Sequence, residues 1–360
     1  MGNMFEYLSW RGDLSMNTVP VTAVDGLIFS SLSYLNFEGI VPEDLQNPVP
    51  LSAAADAFLK LSNTQERIRV KNDLQLLKAV ADAPRFQNIR LAYYRSKLIV
   101  EEETQFAAMV FLLDDGTAFL AFRGTDYSLV GWKEDLNMSF QDSVPAQREA
   151  AAYVAEFAKN HPILLRLGGH SKGGNLAVYA AAKVSPSVQK RILEIYNLDG
   201  PGFTEHMMSD AGYLAIVPKI QTYIPESSII GMLLEQRDAY RVIKSCQVGL
   251  LQHEPYSWEI QGNSFVYAEE VSKANRFADE VIANWIRTMT PQEREAFVEA
   301  TYQLLIASGA SSVGELLHPK NILAFFKALN ANEQSRRLLT GEIVELFKSA
   351  YASFPRSDKE

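Results

Sequence analysis

A glycine-rich segment between an apolar run and a helix of small residues most constrains the fold. Residues 163–167 predict a short buried strand, and residues 173–183 predict a helix rich in alanine and glycine. Between them, Gly169 and Gly173 flank Ser171 in the pattern G-x-S-x-G. This pattern is typical of a strained strand-to-helix turn that exposes a serine hydroxyl, with the helix N-terminus favouring developing negative charge. We therefore predict that Ser171 is a nucleophile.

The competing interpretation of this segment is a glycine-rich helix cap in a nucleotide-binding fold. That fold carries G-x-G-x-x-G or G-x-x-x-x-G-K-[ST], and neither pattern is present here. The serine interpretation is therefore favoured.

Strands and helices alternate along the middle of the chain. Residues 90–100, 105–113 and 117–122 are rich in β-branched and aromatic side chains, with a hairpin turn signal at Asp114-Asp115-Gly116. A long helix is predicted over 132–159, and further strands are predicted over 192–198, 219–224 and 239–245. Alternation of this kind predicts a mostly parallel sheet covered by helices on both faces.

Composition and charge narrow the class of protein. Apolar residues make up 47% of the chain and charged residues 21%, which is typical of a soluble globular protein. The net charge of −9 argues against nucleic acid or an anionic membrane surface as the main partner. One cysteine, Cys246, excludes an internal disulfide and a cysteine-rich metal site, and no cofactor is expected. With apolar runs too short for a bilayer and no secretory pattern, we expect a cytoplasmic protein without stable membrane insertion.

The general base can be sought by elimination because the chain has five histidines. His161 precedes the nucleophile strand, His170 lies inside the turn, His318 lies in the C-terminal helical region, and His206 falls in a predicted helix. His253 follows the last predicted core strand and a short loop. In serine hydrolases whose nucleophile lies on such a strand-to-helix turn, the order along the chain is serine, acid, histidine. His253 is therefore the predicted base.

Two carboxylates compete for the role of the acid. Asp199 lies at the end of the strand after the nucleophile helix, before Gly200-Pro201-Gly202, and Glu226 occupies a similar position one strand later. Either could accept the second imidazole N–H, and the shorter side chain and tighter turn favour Asp199. Its alternative role is to cap the next helix. The backbone N–H groups of Thr125 and Lys172 are the predicted oxyanion donors, and the Thr125 hydroxyl is a third candidate.

Three motifs together resemble the class three lipases of fungi and plants: residues 122–125 (Phe-Arg-Gly-Thr), 131–136 (Gly-Trp-Lys-Glu-Asp-Leu) and 169–175 (Gly-His-Ser-Lys-Gly-Gly-Asn). The closer resemblance is to an Mbeg-like family of bacterial lipase-like proteins, over roughly residues 5–265, from Tyr-Leu-Ser-Trp-Arg-Gly-Asp at 7–13 to Gln-His-Glu-Pro-Tyr-Ser-Trp at 252–258. The resemblance implies that Thr125 serves the oxyanion hole.

The chain departs from the class three pattern at two positions. Ser228 stands where those lipases usually carry their aspartate, whereas Leu198-Asp199-Gly200-Pro201 is similar to the acid-bearing turn of pancreatic-type lipases. Lys172 replaces a smaller or apolar residue and is interpreted as a solvated residue of the turn rather than a contact to substrate charge.

These observations predict an α/β-hydrolase fold, with a mostly parallel sheet flanked by helices and helical additions at both ends. Residues 1–88 are predicted to pack as helices on the core, 89–268 to form the core, and 269–360 to be helical, with a capped helix start at Thr290-Pro291-Gln292-Glu293.

The predicted activity is hydrolysis of carboxylic esters, with a small-molecule ester or lipid as substrate. The apolar residues 229–234 are a candidate lid or acyl wall. A thioesterase or amidase with the same residues, or a binding protein that keeps the fold without catalysis, remain the alternatives.

Overall fold

The structure is a computed structural model. It describes residues 2–126, 128–228, 230–232, 234, 239–268, 281, 285, 288–310, 315, 318–333 and 336–341. The predicted C-terminal region therefore lies partly outside the described residues, as do several residues of the 229–234 segment.

An eight-stranded sheet forms the centre of the protein, and its strands are arranged in the order in which they occur along the chain. A separate two-stranded sheet lies close to the last of them. The strands are β1 (Val49–Pro50), β2 (Arg90–Ile99), β3 (Thr104–Leu112), β4 (Ala118–Phe122), β5 (Leu165–His170), β6 (Ile192–Leu198), β7 (Ile220–Pro225), β8 (Tyr240–Ile243), β9 (Ile260–Gln261) and β10 (Ser264–Phe265).

Four of the seven strand pairs described in this sheet are parallel, and the three at its N-terminal side are antiparallel. Strands β1 to β4 pair antiparallel, with a register shift in β2 next to Tyr93, which has a positive φ of 56°. Strands β4 to β8 pair parallel, so their carboxyl ends share one edge. The α/β-hydrolase fold with a mostly parallel sheet is confirmed.

Helices cover both faces of this sheet. They are α1 (Met4–Arg11), α2 (Ala23–Leu32), α3 (Leu51–Leu59), α4 (Lys71–Asp82), α5 (Leu129–Asn137), α6 (Pro145–Asn160), α7 (Lys172–Lys183), α8 (Pro186–Gln189), α9 (Glu205–Met208), α10 (Ala211–Ile216), α11 (Pro291–Ala307) and α12 (Pro319–Ala331), with 3-10 turns at Thr64–Arg67, Val217–Lys219, Ile230–Met232, Gly249–His253 and Pro255–Ser257. Side chains of α6, α7, α9 and α10 pack with the sheet in one apolar cluster, and those of α1 to α4 pack in a second cluster with other sheet residues.

The predicted helix over 132–159 is wrong in one respect, because the structure has two helices there. Helix α5 begins after Ser128, whose hydroxyl accepts the Gly131 N–H, and ends at Asn137. Helix α6 begins at Pro145, and the Gln147 side chain accepts the Val144 N–H. Proline lacks the N–H that a continuous helix would need, so the chain restarts at this point.

The N-terminal region also differs from an all-helical prediction, since Val49 and Pro50 form the edge strand β1 against β2. A short strand that begins next to proline is compatible with a sheet edge, where one row of backbone groups has no partner strand. At the other end, the predicted start of α11 is present: the Thr290 hydroxyl accepts the Glu293 N–H, and the Glu293 carboxylate accepts the Thr290 N–H.

A fully buried ion pair holds the N-terminal helices together. Asp25 in α2 accepts two hydrogen bonds from the Arg85 guanidinium, at 2.9 and 2.6 Å, and a third from the Tyr7 hydroxyl at 2.8 Å. Arg85 also donates to three backbone carbonyls of residues 14–20. Both charged side chains are 0% exposed.

We expect Asp25→Ala to lower the free energy of unfolding by about 3–5 kcal/mol, because it leaves the buried guanidinium without its counter-charge. Urea unfolding followed by circular dichroism measures the change. The matched control is Glu149→Ala, which breaks the partly exposed pair with Lys97 and should cost at most about 1 kcal/mol. Equal losses for the two variants would contradict the role of the buried pair.

Candidate active site

The serine lies at a sharp turn between β5 and α7. Ser171 has φ 59° and ψ −135°, a conformation that a residue with a side chain adopts only under strain. Its N–H donates to the Leu198 carbonyl at 2.9 Å, and its carbonyl accepts the Gly174 N–H at 2.9 Å. These bonds fix the turn at the carboxyl edge of the sheet. The helix N-terminus begins at the next residue, as the sequence pattern predicts.

The glycines on either side of the serine permit very close backbone contacts. A Cβ atom at Gly169 would lie 2.2 Å from the Gly173 carbonyl carbon, and one at Gly173 would lie 2.1 Å from the Phe122 oxygen. A side chain at either position would therefore push α7 away from the sheet. The G-x-S-x-G spacing is a packing requirement of this turn.

Asp199 and His253 contact each other at the same edge. The distance from Asp199 Oδ2 to His253 Nδ1 is 2.6 Å, and the Asp199 side chain is fully buried. Asp199 directly follows β6, has φ 54°, and donates its N–H to the Tyr223 carbonyl at 2.9 Å. It caps neither following helix, because Thr204 and Asp210 are the N-caps of α9 and α10.

The other candidate acid, Glu226, follows β7 and donates its N–H to the Ile243 carbonyl at 3.1 Å. The Nδ1 atom of His253 is hydrogen-bonded to Asp199 instead. A carboxylate at Nδ1 fixes the proton there and directs Nε2 away from the acid.

The His253 backbone is hydrogen-bonded to the His170 side chain. The His170 Nε2 lies 2.7 Å from the His253 carbonyl oxygen, so this nitrogen carries a proton and donates it. The Tyr34 hydroxyl then donates to His170 Nδ1 at 3.0 Å. Burial, together with the nearby His253 and Arg69, lowers the pKa of His170 well below its usual value. His170 is therefore a neutral structural group.

No hydrogen bond joins the Ser171 hydroxyl to His253 among those of the described residues. The two residues are linked through His170, which precedes the serine and whose ring centroid lies 4.5 Å from that of His253. Hydrogen bonds between a nucleophile and its base are often long in the absence of substrate.

The loop after β4 lies directly against the serine turn. A Cβ atom at Gly124 would be 2.6 Å from the His170 carbonyl oxygen and 3.1 Å from Ser171 Cβ. Neither the Thr125 nor the Lys172 backbone N–H donates to another residue in the described part of the chain. The Thr125 hydroxyl donates to Asp135 Oδ2 at 2.5 Å, so in this structure it is not directed to the oxyanion position.

The prediction that Lys172 is solvated is wrong. Its side chain is 1% exposed and forms ion pairs with Glu134 at 3.0 Å and Asp135 at 3.5 Å. Glu134 also accepts the backbone N–H groups of Gln105 and Ala146, which closes a buried polar cluster beside the serine. Desolvation raises the pKa of Asp135, although Lys172 opposes that rise.

A cavity of about 230 Å³ opens beside Ser171. Its lining is mainly apolar, and residues from α11 and the segment before it form one wall. None of these C-terminal residues was singled out from the sequence, since helical periodicity does not show which face covers a site elsewhere in the chain. The lining residues are Asp135, Leu136, Met138, Ser139, Ser171, Lys172, Pro201, Ile230, Leu234, Trp285, Met289, Arg294, Phe297 and Val298.

Ile230 and Leu234, from the candidate lid 229–234, both line this cavity. Among the residues that the structure describes, no group of histidine, cysteine, aspartate and glutamate side chains is arranged to hold a metal ion. The same residues include no helix that is long and apolar enough to span a bilayer.

The solved structures to which this chain is similar include two fungal lipases. A deletion mutant of Rhizomucor miehei lipase in complex with its propeptide is 17% identical, with a TM-score of 0.37 over 50% of this chain and 68% of that one. The lipase from Rhizopus microsporus var. chinensis is 16% identical, with a TM-score of 0.32 over 62% of this chain and 91% of that one. No curated protein sequence matches the chain.

The family model described as Mbeg1-like matches residues 80–303. This range includes the serine turn, Asp199, the loop that carries His253 and most of α11. Because the match spans more than half of the chain, the protein belongs to the Mbeg1-like family.

Proposed function

We propose that the protein is a serine hydrolase that cleaves carboxylic esters through an acyl-enzyme on Ser171. The observation that carries the proposal is the 2.6 Å hydrogen bond between Asp199 and His253, beside a serine held in a strained strand-to-helix turn. A buried carboxylate on Nδ1 stabilises the imidazolium that forms when Nε2 takes a proton. The α/β-hydrolase fold agrees with this chemistry but does not by itself establish an activity.

In the proposed reaction, His253 Nε2 takes the proton of the Ser171 hydroxyl as its oxygen attacks the acyl carbon. The backbone N–H groups of Thr125 and Lys172 receive the oxyanion of the tetrahedral intermediate. The imidazolium then protonates the alkoxide as the ester bond breaks. Water attacks the acyl-enzyme with His253 again acting as base, which releases the acid and restores Ser171.

The cavity beside Ser171 supports an apolar acyl group as substrate. The cavity has a volume of about 230 Å³ and a mainly apolar lining, as expected of a pocket that binds a small apolar group. The substrate that we propose is therefore a small-molecule ester or lipid. The net charge of −9 supports a partner that is not nucleic acid, and the single cysteine supports a cytoplasmic location.

We expect Ser171→Ala to lower ester turnover by about 10⁴-fold or more and to abolish labelling by a fluorophosphonate probe. The matched control is Ser209→Ala, because Ser209 is exposed, does not line the cavity, and donates its hydroxyl to the His206 carbonyl at 2.8 Å. The control should keep both activity and labelling. Turnover is measured on nitrophenyl esters from acetate to palmitate. A Ser171→Ala enzyme with a tenth of the normal activity would remove Ser171 from the mechanism.

His253→Ala should abolish the same activity, because it removes the imidazole that takes the serine proton in the proposed reaction. His206→Ala serves as the control, since His206 lies in α9 with an exposed side chain. The rates on one nitrophenyl ester, compared at equal protein concentration, test the assignment. A loss confined to the His206 variant would show that the elimination among the histidines was wrong.

Asp199→Asn should leave the fold intact, since asparagine tolerates the positive φ at this position. It should lower kcat by about 10⁴-fold, because the amide favours the wrong imidazole tautomer. Glu226→Gln should cost far less, as Glu226 is not the partner of Nδ1. Steady-state kinetics and a thermal melt of each variant supply the measurement. A larger loss in the Glu226 variant would reverse the assignment of the acid.

A further inference from the structure

We propose that Arg69, supported by Tyr34, is a positioning residue for His253. This inference rests on the proposed function, in which His253 is the base. Both residues belong to the N-terminal region, outside the strands that carry the serine and the acid, and both lie outside the range 80–303 matched by the family model. They act on the imidazole through the backbone that carries it and touch no reacting atom.

The first anchor is a bidentate ion pair next to the histidine. Arg69 Nη1 and Nη2 each donate to a different oxygen of Glu254, both at 2.7 Å. The two side chains are 14% and 33% exposed, so water screens the pair only in part. A planar guanidinium that binds both oxygens fixes the direction of the carboxylate as well as its distance. Because Glu254 follows His253 directly, its position constrains the His253 backbone.

The second anchor reaches the His253 carbonyl itself. His170 Nε2 donates to that oxygen at 2.7 Å, and the Tyr34 hydroxyl, at 3.0 Å from Nδ1, selects the tautomer that makes this donation possible. The Arg69 guanidinium also lies over the Tyr34 ring, 4.7 Å from its centroid. Arg69 therefore contacts a residue of each anchor, Glu254 in the first and Tyr34 in the second.

A third anchor lies at Tyr256, two residues after Glu254. The Tyr256 hydroxyl donates to Asp73 Oδ1 at 2.7 Å, and Asp73 Oδ2 accepts the backbone N–H groups of Arg69 and Val70 at 2.8 Å. The carboxylate thus joins the segment that holds Arg69 to the segment that holds His253. Residues 253–256 are therefore fastened to residues 69–73 at two points, and to Tyr34 through His170 at a third.

The loop needs such fastening because two of its large apolar side chains before His253 are exposed. Val248 is 76% exposed and Leu251 is 64% exposed. On the core side, Gln252 supplies contacts, since its side-chain oxygen accepts the Ser227 N–H and its carbonyl accepts the Trp258 indole N–H. The N-terminal anchors complete the fixation from the other side. A displacement of about 1 Å at a catalytic group can lower turnover about 10²-fold.

The test compares Arg69→Met, Glu254→Gln and the double variant, with Arg67→Met as the matched control. Arg67 lies two residues away and binds the carbonyls of Asn36 and Glu38. We expect each single variant to lower kcat by about 10²-fold or less, with KM unchanged because neither residue lines the cavity. The double variant should fall no further than the Arg69 variant, since both changes remove one interaction.

A second readout does not depend on catalysis. The proton shared by His253 Nδ1 and Asp199 should give a low-field NMR signal in the free protein, which Arg69→Met should weaken or shift and Arg67→Met should leave unchanged. If the wild-type protein neither hydrolyses esters nor binds the fluorophosphonate probe, the proposed function fails, while loss of the signal in Arg69→Met still supports positioning.

Unchanged kcat and an unchanged signal in a folded Arg69→Met protein would overturn the positioning role and leave the hydrolase assignment standing. Additive losses in the double variant would overturn it too. Should Arg69→Met fail to fold, Glu254→Gln carries the same two measurements, because glutamine keeps the size of the side chain.

Discussion

The handedness of the strand connections imposes the main constraint on this architecture. Strands β4 to β8 are parallel and follow one another across the sheet in chain order. Connections between parallel strands are right-handed, so a series that always advances in one direction places all its helices on one face. Helices α6, α7, α9 and α10 form that layer. The opposite face of the same apolar strands then needs a cover from elsewhere in the chain.

The N-terminal helices supply that cover, and this explains why they reach the active-site edge. Phe29 of α2 packs on Phe111 and Phe119 of the sheet, with ring centroids 4.7 and 4.9 Å apart. Trp258 and Phe265, which follow β8 in the chain, belong to the same cluster. Because the N-terminal helices and the histidine loop share one layer, contacts such as Arg69 with Glu254 arise directly from the way the sheet is covered.

The parts of the site that sequence patterns predicted are those in which local backbone geometry limits the choice of residue. Glycines beside Ser171 and beyond Asp199 mark turns at the ends of β5 and β6. The parallel pairing of His170 with Leu198 then brings the two following residues side by side. Lys172 could not be placed in this way, because its burial depends on Glu134 and Asp135, which approach only after α5 has packed. The cavity wall formed by α11 could not be predicted for the same reason, because it depends on tertiary contacts and not on helical periodicity.

The packing of α2 against late strands has a consequence for synthesis on the ribosome. Gly26 packs against the ring of Tyr196, close enough that a Cβ atom would lie 3.1 Å from it. At about 5–20 residues per second, roughly ten to thirty seconds separate the appearance of these two residues. During that interval α2 has been made, but the part of its contact surface that β6 supplies has not. The apolar face of α2 therefore stays partly exposed during translation, and its cover is complete only when the residues beyond β8 have been made.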